Sequence, residues 1–470
     1  MKKLLKSKIK KTKFWITENG KTKIQQSKLI DFLELNGFAQ IELNEENYIN
    51  VRLNNNKVRK TSIKEMTDII RQYLLEIEKN DLVYEVFSRG CGTYLNSSKL
   101  MLLKTIKLLD DRDERDLARF FFKNVFCEIT KDNVEVKPYA DLEFPIWENR
   151  VINYEFEKPK NEDGQFKTFC KHLAKEDDNR LAALCSFIGY LTHRNKDRGE
   201  NKAIILYDEN MGLNDEAHGR TGKTLISDAI KECKEVLKFD GKEMKTGNWF
   251  KNQRIELTTD LLVYDDLKKE ASLDMFFPVL TDGIEVEKKY KDSFYIPREK
   301  SPKILMTSNY IVKGPGGSSD KGRRYEFEVA NYFDADHTPE VEFGNRFFDK
   351  YWAKEERNKF YLFMMQSIQL YLEKGLIKAE EINLRKSRLA SATHPKFYEF
   401  AHSFVETNTW QDKRFFEELF RDEYKTDVTA HTMRKWLQSY TNDIGGELKV
   451  KPKNSKYFFK IKVDGDAARK

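Results

Sequence analysis

The segment Gly219-Arg220-Thr221-Gly222-Lys223-Thr224 lies between an apolar run, Ala203-Ile-Ile-Leu-Tyr207, and a helical pattern that reaches Ile230. Glycines at such a turn let backbone N–H groups close around phosphate oxygens. Lys223 can neutralise β/γ-phosphate charge, and the Thr224 hydroxyl can hold Mg²⁺. These are the features of the end of a P-loop. The full pattern G-x-x-x-x-G-K-[ST] wants glycine at 217, where the chain has Ala217, and the loop from Asp208 to Thr221 is long. Alone, Gly-Lys-Thr would equally cap a helix. Two further strand ends decide between these. Leu261-Leu-Val-Tyr runs into Asp265-Asp266, at the ~40-residue distance a P-loop ATPase needs. One carboxylate, Asp265, can bind Mg²⁺ through water, and the other can take the proton of an attacking water. Lys303-Ile-Leu-Met-Thr-Ser ends in Asn309, an amide suited to orienting that water. Three ordered polar strand ends at the carboxyl edge of one sheet predict hydrolysis of a nucleoside triphosphate, with ATP and Mg²⁺ as substrate and cofactor.

The elements that must carry these groups alternate strand and helix from Ala203 to about Phe333, which predicts an α/β core. Before it, residues 1–157 read as an N-terminal α+β domain of unknown role. A helix is expected over Ser62–Lys79, with Ser62 and Glu65 as a capping box, and a hairpin over Asn124–Lys137. Breaker-rich Lys158-Pro-Lys-Asn-Glu-Asp-Gly opens a helical linker or oligomerisation region over 158–198. The core is expected over 199–335, further helices over 336–385 and a last domain over 386–470. With 470 residues and 39% hydrophobic side chains the chain can build several packed units, which makes it a multidomain α/β protein.

Charge and cysteine content exclude other classes. The longest uncharged run, Leu181 to His193, spans 13 residues, short of the ~20 that cross a bilayer, so no membrane role is expected. Five cysteines, odd in number and never in Cys-x-x-Cys spacing, point to a reducing compartment and a cytoplasmic location. His193, His218, His337, His394, His402 and His431 show no metal-ligand spacing. Net charge is only +7, but seven lysines fall in the first 13 residues and a second basic run covers Lys449 to Lys462, a footprint compatible with nucleic acid or with solvated ends.

Between the acidic pair and Asn309, strands over Ile284–Glu287 and Ser293–Ile296 flank Lys288, Lys289, Tyr290 and Lys291. Cations with one ring at a hairpin tip suit a single-strand channel, although an exposed basic turn can also be only a soluble turn. From about Phe169 to Phe333 this order of parts resembles the superfamily 3 helicases of the viral, phage and plasmid primase-helicase type. Ile188-Gly-Tyr-Leu is similar to the helix before that family's core, and Leu280-Thr-Asp-Gly-Ile to the segment before its DNA-binding hairpin. Glu287-Lys-Lys-Tyr resembles the E-K-K-H hairpin tip of polyomavirus large T antigens, which implies DNA contact by Lys289 and Tyr290. Lys321-Gly-Arg-Arg-Tyr-Glu-Phe-Glu-Val is similar to the family's arginine-finger strand. The resemblance implies an AAA+-like core and an Arg323 or Arg324 that reaches the γ-phosphate of a neighbouring subunit. It also implies a homo-oligomeric ring, usually a hexamer, acting on single-stranded or forked DNA in a host cell's cytoplasm, with a primase or polymerase of the same element as partner. Ala217 and the long loop depart from the family pattern. Primer synthesis is not expected of the first 150 residues.

At the far end, Phe397–Glu406, Lys413–Tyr424 and a helix capped by Thr429 precede two alternating strands around Pro452-Lys-Asn-Ser. This is the order of a winged helix, with His431, Arg434, Lys435 and Lys453 as candidate DNA contacts, although such a domain also serves protein docking. The expected function is an ATP-dependent ring-forming DNA helicase or translocase for replication of a phage, virus or mobile element. The alternatives are an ATP-dependent origin-binding or loader switch without unwinding, and a DNA-binding regulator whose ATPase site is degenerate.

Overall fold

The computed structural model describes residues 9–44, 47–54, 56–106, 112–142, 145–211, 221–243, 252–288, 293–453 and 456–463. At its centre lies a five-stranded, all-parallel sheet. Its strand order is Val236–Asp240, Leu261–Leu267, Lys303–Ser308, Ala203–Asp208, Arg324–Val329. Ala203–Asp208 and Lys303–Ser308 are buried at every position. A parallel strand covered on both faces needs apolar side chains on both, so these segments read as unbroken apolar runs. Ile204, Leu206, Leu261, Val263, Leu305 and Phe327 face the helices Gln165–Leu173, Asp178–Thr192, Lys223–Lys231 and Lys354–Lys374. Ile205, Tyr207, Leu262, Tyr264, Ile304 and Met306 pack on the other side with Leu280, Ile284, Val286 and Ile296. Because the strands are parallel, their carboxyl ends share one edge.

Helices Asp178–Thr192 and Lys354–Lys374 pack closely. A Cβ on Gly189 would stand 2.1 Å from the Ser367 carbonyl oxygen, so only glycine allows this approach. The expected hairpin is present as Val125–Ile129 and Val134–Pro138, in a four-stranded sheet with Ala118–Phe122 and Val151–Ile152. Phe120, Phe122, Cys127 and Phe156 of this segment join the apolar cluster under the central sheet. Residues 14–103 surround a separate cluster that includes Phe14, Phe32, Tyr73 and Phe87.

The helix expected over Ser62–Lys79 forms as Ile63–Gln72 and continues in a π-helical turn, Tyr73–Ile77. Its capping box is only half made. Ser62 Oγ accepts from Glu65 N at 3.3 Å, but the Glu65 carboxylate turns to Arg52 at 2.6 Å, to Arg59 and to Thr61. Charge-assisted bonds to two guanidinium groups from neighbouring strands are stronger than the reciprocal bond to a backbone N–H.

Beneath the amino ends of the central strands two lysines are buried. Lys303 Nζ donates to the carbonyls of Tyr190 and His193, each at 2.6 Å. Lys196 Nζ donates to Val279 O at 2.9 Å and Ser301 Oγ at 2.6 Å. Burial lowers both ammonium groups to about 7.

The C-terminal region builds its own core around Phe400, Phe416, Phe420, Met433, Leu437 and Phe459. It comprises helices Leu384–Ala392, Phe397–Phe404, Lys413–Tyr424 and Ala430–Asp443 and an antiparallel sheet ordered Gln411–Asp412, Lys456–Lys462, Glu447–Lys453. The Thr429 side chain accepts from Thr432 N, as expected of an N-cap. Among the described residues no helix is long and apolar enough to cross a membrane.

Candidate functional site

Five side chains meet in one hydrogen-bonded line at the carboxyl edge of the parallel sheet. Lys223 opens helix Lys223–Lys231, immediately after Gly222 at φ +99°. A side chain on Gly222 would be strained at that φ, and its Cβ would press on the Phe169 ring at 3.0 Å. From this helix start, Lys223 Nζ donates to Asp208 Oδ2 at 2.5 Å and to Asn309 Oδ1 at 2.8 Å. Asn309 Nδ2 in turn donates to Asp266 Oδ1 at 3.3 Å. Thr221, buried, donates to the other oxygen of Asp208. The Lys223 side chain is 12% exposed and that of Asp208 3%. Water therefore screens the pair little, and its attraction exceeds that of a surface ion pair.

The acidic strand end is irregular, and the irregularity brings both carboxylates to the edge. Register slips between Tyr264 and Leu267, and Asp266 sits at φ +58°, a region that Asp tolerates better than most residues. Asp265 accepts from Thr307 Oγ1 at 2.7 Å and pairs with Lys238 at 2.7 Å. Asp266 pairs with Lys242, and its backbone N–H donates to Thr307 Oγ1 at 2.8 Å. Asp266 is thus the carboxylate joined to Lys223 through Asn309, and Asp265 lies beside it. Thr224 is exposed on the first turn of the same helix. Gly219 and Arg220 lie outside the described residues.

The motifs do not point to Asp208, Thr307, Lys238 or Lys242. Asp208 carries the same signal as Asp265 and Asp266, a carboxylate ending an apolar strand. The others are brought in by strand register.

The two arginines stand elsewhere. Arg324 begins its strand in register with Ala203, at the end opposite Asp208. It is held in its own chain by Asp320 and Glu326, each at 3.0 Å, and by Val312 O at 3.1 Å. Arg323 donates to Ser319 O at 3.0 Å and lies over the Phe277 ring at 4.6 Å. Neither belongs to the Lys223 line within one chain.

The hairpin forms from Gly283–Val286 and Phe294–Pro297. Its expected basic tip needs one correction. Lys288 turns inward to Glu256 at 2.5 Å, a carboxylate that also holds Lys60, and lies over the Phe294 ring at 5.6 Å. A carboxylate from another element neutralises Lys288, so it is not an outward cation. Lys289, Tyr290 and Lys291 lie outside the described residues. In the C-terminal region His431, Arg434 and Lys435 are exposed on helix Ala430–Asp443, and Lys453 is exposed at the end of its strand. Lys453 lies on the sheet and the other three on the helix.

No family model matches the chain, and no curated protein is similar to it in sequence. Among solved structures it is similar to the apo NrS-1 C-terminal region (305–718), at 10% identity and a TM-score of 0.43, over 93% of this chain and 98% of that one. It is also similar to the A form of that region, at 10% identity and a TM-score of 0.40, over 93% and 99%. A structure of JCV helicase with a bound small molecule aligns at 12% identity and a TM-score of 0.25, over 58% of this chain and 65% of that one.

Proposed function

We propose that the chain is an ATP-driven, ring-forming helicase or translocase that serves replication of a phage, virus or mobile element. The observation that carries this reading is the convergence of Lys223, Asn309 and Asp266 at one sheet edge, joined by hydrogen bonds of 2.8 Å and 3.3 Å. In this reading Gly222, Lys223 and Thr224 form the end of a P-loop and cradle the triphosphate at a helix N-terminus. Asn309 orients a water toward the γ-phosphate, and Asp266, bonded to that amide, is placed to take its proton. Thr224 and Asp265 offer oxygen donors of the kind a hard cation needs. Mg²⁺ is commonly bound by one or two carboxylates together with substrate phosphates and water, a demand these two residues can meet. The ion would supply neutralisation of phosphate charge. For Lys223 to meet a phosphate it must exchange the Asp208 carboxylate, so Asp208 competes with substrate.

Because Arg324 is occupied in its own chain, Arg323 is the better candidate for reaching a neighbouring subunit's phosphate in a hexameric ring. The hairpin tip over Lys289–Lys291 would follow one DNA strand, and the C-terminal region would be a winged helix.

Turnover of ATP with and without a forked DNA duplex tests the proposal. It requires hydrolysis that rises with DNA, and strand displacement that Lys289→Ala abolishes while ATP binding persists. Hydrolysis without displacement by the wild-type chain would replace it with a loader or origin-binding switch.

A further inference from the structure

The C-terminal sheet has two unlike faces. Leu448, Phe459 and Ile461 turn inward to Phe416 and its neighbours. Alternation along the strands then puts Lys449, Lys451 and Lys453 on the outer face with their register partners Lys460, Phe458 and Lys456. Lys462 shares this face, opposite Glu447. On the short edge strand Asp412 is paired with Phe458, so Asp412 and Trp410, two residues before it, also face outward. Lysines outnumber carboxylates on this face. Glu447 pairs with Lys449 and Asp412 with Lys456, both at 3.3 Å.

Two of the cross-strand pairs, Lys449–Lys460 and Lys453–Lys456, set like charges directly opposite one another. That arrangement works against the sheet, and a polyanion lying across it would relieve the repulsion. Rings lie among the cations. Lys451 Nζ sits 3.9 Å from the centre of the Trp410 ring, which is 36% exposed, and Phe458 is half-buried between Lys451 and Asp412. On helix Lys413–Tyr424 the exposed residues include Glu418, Asp422 and Glu423, so that side of the region is of mixed sign.

We infer that the outer face of this sheet, with Trp410 as stacking ring and Lys449, Lys451 and Lys460 as phosphate contacts, is a binding surface for single-stranded nucleic acid. Lysines along a backbone path with an accessible ring between them are the chemistry that takes a strand without reading its sequence. This deepens the nucleic-acid part of the proposed function but does not need nucleotide turnover. Its test is therefore run without ATP, and a failed ATPase leaves its outcome intact.

The test is fluorescence anisotropy of the full chain with labelled oligo(dT) of about 20 nucleotides and with a duplex of equal length. Lys449→Gln/Lys451→Gln/Lys460→Gln should weaken oligo(dT) binding at least ~30-fold. It should also reduce the log–log salt slope by about two, at ~0.7 for each phosphate that a lysine no longer neutralises. Trp410→Ala should cost about tenfold, and Trp410 fluorescence should be quenched by the oligonucleotide. Lys460→Glu separates binding from folding. It replaces a repulsive cross-strand pair with an attractive one, so thermal stability should rise while affinity falls. Unchanged oligo(dT) affinity in the triple variant would overturn the inference. So would loss of binding only in Arg434→Ala/Lys435→Ala, preference for the duplex, or capture of phosphatidylserine vesicles but not oligo(dT).

Discussion

The parallel sheet and the C-terminal sheet handle charge in opposite ways. At the carboxyl edge of the parallel sheet the lysines have carboxylate partners: Lys223 has Asp208, Lys238 has Asp265 and Lys242 has Asp266. On the outer C-terminal face, lysine stands opposite lysine in two register pairs. The first arrangement is a closed network, in which a new anion must exchange with a resident one. The second is a surplus: Glu447 and Asp412 pair with Lys449 and Lys456, but lysines outnumber carboxylates, so an anion can add to the face. Exchange makes a site selective and switchable, and surplus makes it permissive and sensitive to salt.

Breaking the closed network should therefore abolish chemistry and leave the open face working. Lys223→Ala should reduce ATP hydrolysis by about 10³-fold, the upper range for loss of one electrostatic contact in a site. Anisotropy should show its oligonucleotide affinity unchanged. Asn309→Ala, which cuts the line between Lys223 and Asp266, should cost about 10²-fold in kcat, with nucleotide affinity within a few-fold of wild type.

The strands that carry this network are legible in the sequence, and some of its members are not. Ala203–Asp208, Leu261–Leu267 and Lys303–Ser308 announce themselves because burial on both faces leaves their apolar runs nearly uninterrupted. Lys223, Asp266 and Asn309 can be found because each sits at a strand or helix end with a recognisable neighbour. Asp208 ends an apolar strand as Asp265 does, but its pairing with Lys223 emerges only when that strand end and the helix start are placed together. Lys288 reads as an outward cation because the carboxylate that neutralises it, Glu256, comes from another element. Glu65 fits a capping box in sequence, yet Arg52 and Arg59 arrive from strands whose register no local pattern encodes.

Smaller effects sharpen the contrast. Gly189→Ala should destabilise the packing under the parallel sheet by ~1–3 kcal/mol in denaturant unfolding, and leave the C-terminal core intact. Asp208→Asn removes the competing carboxylate and should tighten ATP binding by about tenfold, ~1.4 kcal/mol, as read by calorimetry. Weaker binding would mean that Asp208 positions Lys223 rather than competes for it.

A further effect is on pH. Lys196 and Lys303 fall to about 7 in the folded chain from an ordinary 10.5. Above pH 7 the unfolded chain holds more protons at these groups than the folded one, so stability should rise with pH. At ~1.4 kcal/mol per pH unit for each group, the gain should be on the order of 4 kcal/mol by about pH 9. Lys303→Met should about halve that slope, leaving the Lys196 contribution.

The most direct measurement is a structure of the chain with Mg²⁺ and a slowly hydrolysed ATP analogue. The account predicts the terminal phosphate between Lys223 and Asn309, with Asp266 beside it and Lys223 drawn off Asp208. An analogue bound elsewhere, with Lys223 still paired to Asp208, would contradict it.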